Sequence, residues 1–165
     1  MGEVTIRRAV MEDLPAVIAM LDEVDDLHRK ALPWLFRPID EAGLAGFLED
    51  YISKQDRTML LATTPEGALA GVLYVFMRQH ARAPIVQPTL IAEIDSLVVG
   101  HSVRRQGVGT RLVQAALQWA ADNGATRTEL GVYDFNGAAR AFWASVGFET
   151  FLRRLVAHTK PGVEA

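Results

Sequence analysis

The chain has no cysteine among its 165 residues. That excludes a disulfide framework, a thiolate metal site and a cysteine nucleophile. It suits a reducing compartment. No stretch approaches the ~18 consecutive apolar residues that a membrane helix needs. The opening MGEVTIRR lacks the apolar core of a secretory signal, and Ile6 stands where a myristoylation signal requires Ser or Thr. A cytoplasmic location without membrane contact is therefore the expectation by elimination. A concentrated basic face is also missing: the formal net charge is -3, with Lys and Arg scattered along the chain. Phosphate-backbone binding needs such a face, so nucleic acid is not expected as a partner. The four histidines show no metal-ligand spacing, so no metal is expected. No nucleophile-elbow pattern occurs, and no internal repeat or low-complexity linker interrupts the chain.

Half of the residues are apolar, enough for a core, and one domain over residues 1–165 is the expectation. Val4–Arg8 alternates as a first strand. Asp13 and Pro15 open a helix whose apolar positions are Leu14, Val17, Ile18 and Leu21. A second helix runs from Asp40, with Leu44, Phe47, Leu48 and Tyr51 on one face. Thr58–Ala62 and Leu69–Met77 read as a hairpin around the turn Thr64-Pro65-Glu66-Gly67. Residues 78–88, with two prolines and basic side chains, read as a loop. Thr89–Val99 is a long strand. Val108, Leu112, Ala116 and Ala120 trace a helix that Gly124 ends. A strand over 127–133, a helix ended by Gly147 and a last strand over 148–158 complete the order βααβββαβαβ, with a frayed tail after Pro161. Hairpins in the first half and strand–helix–strand units in the second predict a mixed α/β sheet with helices on both faces.

The most informative segment is Arg104-Arg105-Gln106-Gly107-Val108-Gly109-Thr110, between the long strand and a helix. A helix start leaves backbone N–H groups unpaired and carries partial positive charge. A diphosphate accepts those hydrogen bonds. Glycines allow close approach of the backbone, and Arg104 and Arg105 add positive charge. A Walker loop would need Gly-Lys-Ser/Thr, which is absent. A dinucleotide fingerprint would need a third glycine where Leu112 stands. The remaining alternative is a glycine-containing helix start on a basic surface.

Arg104-x-x-Gly107-x-Gly109 resembles the Gln/Arg-x-x-Gly-x-Gly/Ala motif of the GNAT N-acetyltransferase superfamily. Asn136-x-x-Ala139-x-x-Phe142-Trp143-x-x-x-Gly147-Phe148 is similar to that family's Asn-x-x-Ala-x-x-Phe-Tyr-x-x-x-Gly-Phe signature. Together the two motifs span Thr89 to Phe148. The resemblance implies a GNAT-like fold with a six- to seven-stranded sheet. It also implies acetyl-CoA as cosubstrate, bound where the fourth and fifth strands splay apart. Backbone groups of Leu97, Val98 and Val99 would pair with the pantetheine arm. Backbone N–H groups of Arg105, Gln106, Gly107, Val108, Gly109 and Thr110 would hold the diphosphate. Asn136 would contact the pantetheine end, its alternative being a helix N-cap.

Amine acetylation poses two proton problems. An alkylammonium of pKa ~10.4 must lose a proton near pH 7, uphill by about 4.6 kcal/mol; a thiolate of pKa ~8.5 is uphill by only about 2 kcal/mol. A base therefore matters more than an acid, and contributes ~10²–10⁴-fold. Glu93 and Asp95 alternate on the long apolar strand and, by period, share a face with Leu97. Ile91-Ala92-Glu93-Ile94 resembles the histone acetyltransferase branch, where the glutamate at this place is the general base. Glu93 is thus the first candidate and Asp95 the second, the alternative being exposure of both on the solvent side. Trp143 departs from the family's usual tyrosine, which protonates the leaving sulfur; indole cannot. The thiolate would leave unassisted, or water or Tyr133 would supply that proton; Trp143 would pack against the pantetheine arm, its alternative being plain core packing. A chain that binds acyl-CoA as a sensor without catalysis is the reading Trp143 keeps open.

For the acceptor, the resemblance places Asp25, Asp26, His28, Trp34 and Phe36 near one wall and Arg78, His80 and Arg82 near another. Solvated loop charges are the alternative for each. A small-molecule amine is the expected acceptor, with a protein lysine or N-terminus as the alternative. A homodimer is an expectation from family habit alone.

Overall fold

Five strands form one sheet in the spatial order β1-β2-β3-β4-β5. The computed structural model describes residues 3–80, 84–157 and 159, without the side chains of residues 23–25 and 80. The strands are β1 (Thr5–Arg8), β2 (Arg57–Thr63), β3 (Leu69–His80), β4 (Thr89–Val99) and β5 (Thr128–Leu130). The first four pair antiparallel, and β5 joins β4 in parallel through Ala92, Glu93 and Ile94. The helices are α1 (Leu14–Ala31), α2 (Glu41–Ser53), α3 (Val108–Asp122) and α4 (Gly137–Ser145).

Each face of the sheet buries its own apolar cluster. Leu73, Val75, Ala92 and Ile94 lie against Leu112, Val113 and Ala116 of α3. Met59, Leu61, Val72 and Tyr74 lie against Val17 and Leu21 of α1 and Leu48 and Tyr51 of α2. The helical stripes expected on α1 and α3 therefore supply the core, and full burial of a residue such as Leu112 is worth ~1.5–3 kcal/mol. Phe47, expected on the inner face of α2, is half-exposed and packs its ring edge-on to Tyr51.

Three expectations need correction. β3 continues through Arg78 to His80, pairing with Ile91, Leu90 and Thr89, so Arg78 belongs to a strand and not to a loop. Its polar end looked like a loop because Arg78 answers charges on β4 and β5 instead of filling a core. Among the described residues the sheet has five strands, not six or seven. Residues 148–157 form no ladder, and from Glu149 onward they lie exposed. Their alternation mixes Phe151, Leu152 and Leu155 with Arg153 and Arg154, and no described element covers either face. β5 is likewise only three residues long, and Gly131–Phe135 continue it as exposed chain. The expectations for Arg82, His158 and the tail after Pro161 lie outside the described residues. Among those described, no helix is long and apolar enough to cross a membrane.

Candidate active site

The site is organised by an irregularity in β4. Opposite Tyr74 and Val75 the partners are Ser96 and Ile94, so Asp95 is the extra, unpaired residue of a β-bulge. A bulge re-aims side chains and shifts the later alternation by one. Ile94 and Leu97 accordingly join the α3-side cluster, whereas Val98 joins the α1/α2 side. Leu97 therefore does not share the face of Glu93. The backbone edge changes in the same way. Gly100 N–H donates to the Ala70 carbonyl, and the Val98 carbonyl lies 2.9 Å from where a Cβ on Gly71 would be. Residues 98 and 100 thus point their backbone groups at β3. Leu97 and Val99 point theirs the other way, where β5 has diverged. The Val99 carbonyl there already accepts from Arg104 Nε at 3.1 Å.

Asp95 meets the α2 side of the sheet. The Tyr51 hydroxyl donates to its carboxylate at 2.9 Å. Burial pushes the Asp95 carboxyl above the ordinary carboxylate range, the Tyr51 bond pulls it back, and the charge of Glu93 adds to the rise. One side of Asp95 nevertheless stays open to solvent; the desolvation comes from the protein wall behind it. Tyr51 itself is buried, and burial, with the Asp95 charge next, pushes its phenol far above its usual range. Tyr51 was legible in the sequence only as one more member of a helical apolar stripe.

Glu93 is differently placed. Arg78 Nε donates to its carboxylate, and the same guanidinium reaches Glu129 on β5 at 3.2 Å. Arg127 closes the chain onto Glu129 at 2.7 Å. Glu93 is therefore an ion-paired carboxylate in a four-residue network, while Asp95 takes its hydrogen bond from a neutral phenol.

The loop before α3 has the geometry of an anion cradle. Gly107 caps the helix with φ 82°, a left-handed conformation natural to glycine. No side chain caps the first turn. Among the described residues no protein acceptor takes the N–H groups of Gly107, Val108, Gly109 or Thr110; the ladder begins at Arg111, which bonds back to the Gly107 carbonyl at 3.0 Å. Arg105 holds φ 60° without being glycine, which costs of order 1–2 kcal/mol. Such strain is found where the backbone is shaped for a partner. Gly109 has a second reason to be small: a Cβ there would meet Phe142 of α4 at 3.1 Å. Gln106 turns its side-chain amide to the Ser102 carbonyl.

Asn136 caps α4, its Oδ1 accepting from Ala139 N–H at 3.0 Å, which leaves its amide donors for another partner. Trp143 sits between the rings of Phe142 and Phe148, 5.1 and 5.3 Å away, so packing accounts for it. Of the residues expected near the acceptor, His28 and Phe36 come together with Tyr133, whereas Asp26 is occupied by Arg29 and Lys30. The side chains of Asp25 and His80 lie outside the described ones. A shallow recess between α3 and α4, lined by Thr110, Gln114, Leu117 and Ser145, contains none of the carboxylates.

A sheet that opens beside a bulge, next to a helix start with bare amides, defines a class that comparison makes specific. The acetyltransferase (GNAT) family profile matches residues 21–148, and the chain belongs to that family. It is an N-acetyltransferase that moves acetyl to an amine. It is 29% identical over 108 residues to an aminoglycoside N(6')-acetyltransferase type 1 of Klebsiella aerogenes, covering 66% of this chain and 69% of the relative. The fold is similar to that of a mutant Bacillus halodurans protein, with a TM-score of 0.88, 22% identity and coverage of 94% and 99%. It is also similar to an aminoglycoside N-acetyltransferase solved in complex with CoA, with a TM-score of 0.76, 17% identity and coverage of 98% and 97%.

Proposed function

We propose that the protein acetylates the primary amine of a small molecule, with acetyl-CoA as donor and Asp95 as general base. The observation that carries this reading is the bulge. It sets one partly desolvated carboxylate just past the point where β4 loses its partner strand. The chain's groups fit the donor. The amides of Gly107, Val108, Gly109 and Thr110 would hold the diphosphate. The edge at Leu97 and Val99, where Arg104 already donates to the Val99 carbonyl, would pair with the amide-bearing arm as an added strand does, and the Asn136 amide would reach its end. When bound, the thioester supplies the acetyl group.

Asp95, raised above the ordinary carboxylate range, accepts the ammonium proton more readily than a normal aspartate does. Glu93 engages the Arg78 guanidinium. Trp143 offers no proton to the departing sulfur. The thiolate is uphill by only about 2 kcal/mol near pH 7, so water is sufficient. The relatives named as aminoglycoside acetyltransferases support a small amine as acceptor.

The test is a screen of small amines and a lysine peptide against acetyl-CoA with detection of released thiol. Small amines should give acceptor-dependent thiol. Turnover of the peptide alone would overturn the small-molecule reading, and CoA binding with no acceptor-dependent thiol would make the chain a sensor.

A pH prediction follows from Tyr51. Its bond lowers the Asp95 pKa, so Tyr51→Phe removes that support. The inflection of the acidic limb of kcat/KM against pH should move upward, with the plateau at high pH reduced less than tenfold. An unmoved or downward inflection would detach Tyr51 from the base.

A further inference from the structure

The end of α1 and the chain after β5 meet in a cluster of aromatic rings that the acetyl-transfer chemistry does not use. His28, near the end of α1, lies 5.2 Å from Phe36 in the α1–α2 connection. It also lies 5.7 Å from Tyr133 and 5.8 Å from Phe135, on the chain that continues β5. Phe36 meets Tyr133 edge-on at 5.5 Å, and Tyr133 stacks on Phe135 at 5.7 Å. The cluster is not interior. Tyr133 is 40% and Phe135 41% exposed, with Trp34 alongside in the same connection at 37%. Half-exposed rings that touch across two chain segments present a flat apolar surface.

Its position relative to the carboxylates is fixed by the sheet. Leu130 pairs with Ile94, the residue before Asp95, and Tyr133 follows three residues later. α1 packs on the same sheet face to which Tyr51 and Asp95 belong. His28 and Phe36 therefore belong with the α1 face, opposite α3, and Tyr133 and Phe135 follow the end of the β4–β5 ladder.

The charge at the site is nearly balanced. Among the described groups, Glu93 and Glu129 pair with Arg78 and Arg127, while the third carboxylate, Asp95, accepts from the Tyr51 hydroxyl, which leaves one negative charge in excess. One ammonium is matched; a polycation would meet two guanidiniums.

We infer that the acceptor is a monoamine with a flat aromatic body, its ring held on the Phe36–Tyr133–Phe135 surface while its ammonium lies at Asp95. This rests on the function proposed above and differs from the polycationic aminoglycosides for which the named relatives are called. Ring-on-ring contact and attraction of the cation to ring faces supply the selectivity.

The experiment compares 2-phenylethylamine, butylamine and spermidine as acceptors with acetyl-CoA. It repeats the comparison with Phe36→Leu and Phe135→Leu, which keep apolar volume and remove the ring. Circular dichroism checks that both variants are folded. The wild type should favour phenylethylamine in kcat/KM. Each variant should raise KM for phenylethylamine by roughly three- to tenfold with kcat little changed, and leave butylamine unaffected. Calorimetric titration of phenylethylamine into the CoA-bound protein should show the same weakening without turnover. Equal effects of the variants on all three amines, or preference for spermidine, overturns the aromatic subsite while leaving acetyl transfer standing. Absence of thiol release with every amine, alongside saturable phenylethylamine binding, overturns the function and leaves the subsite standing.

Discussion

Replacing Asp95 by asparagine lowers kcat/KM near neutral pH by ~10²–10⁴-fold, the range a positioned base contributes. The argument is geometric first. Asparagine is the same shape and still accepts the Tyr51 hydrogen bond, so the bulge and its surroundings persist. What is lost is the ability to take a proton from an ammonium. Activity should recover in part at high pH, where the amine arrives already deprotonated. Glu93→Gln is the matched control. It releases Arg78, which retains Glu129, and its loss should be smaller than that of Asp95→Asn. A larger loss for Glu93→Gln would move the base to Glu93.

The same substitution carries a stability signature of opposite sign. The folded-state pKa of Asp95 is raised, chiefly by burial, so ionising it is costlier in the folded chain than in the unfolded one. That cost is absent below the unfolded pKa, grows through the interval up to the folded pKa, and is complete above it. Asp95→Asn should therefore melt higher than the wild type at pH 7–8, with the difference vanishing in acid near the ordinary aspartate range. Gain of stability with loss of turnover is the pattern of a residue kept for chemistry.

The second large effect concerns Gly107. Its φ of 82° costs alanine about 1–2 kcal/mol, and no atom crowds the Cβ position, so the backbone conformation alone is at stake. An alanine there favours a rearranged helix start and disperses the amides of Gly107–Thr110. Charge-assisted hydrogen bonds contribute ~1.5–3 kcal/mol each, so loss of one such bond weakens acetyl-CoA by roughly 10- to 100-fold. S-acetylpantetheine, which lacks the diphosphate, should bind wild type and Gly107→Ala alike. If both donors weaken together, the change is a general destabilisation. If neither weakens, the amides do not bind phosphate.

Much of this site was legible in the chain because its parts are local. The α3 face repeats at helical spacing, Gly107 and Gly109 stand beside it, and β4 was bounded as it is observed. What escaped has a common cause: it depends on partners distant in sequence. Nothing in Glu93-Ile94-Asp95-Ser96-Leu97 announces a bulge, so strict alternation put Leu97 beside Glu93. Arg78 looked like loop polarity because its partners, Glu93 and Glu129, lie 15 and 51 residues away. Tyr51 was hidden in an apolar stripe in which only its hydroxyl is unusual. The ring cluster joins His28 to Tyr133 across more than half the chain. The last strand was over-read for the reverse reason: its alternation is real, but a strand needs a neighbouring edge as well as a pattern.

The most direct examination of the whole arrangement is a crystal structure of the protein with coenzyme A. The expected result places the diphosphate on the amides of Gly107–Thr110, the arm along the edges of Leu97 and Val99, and the sulfur on the Asp95 side of the opening. A diphosphate seated elsewhere, or a sulfur separated from Asp95 by the sheet, would contradict the account.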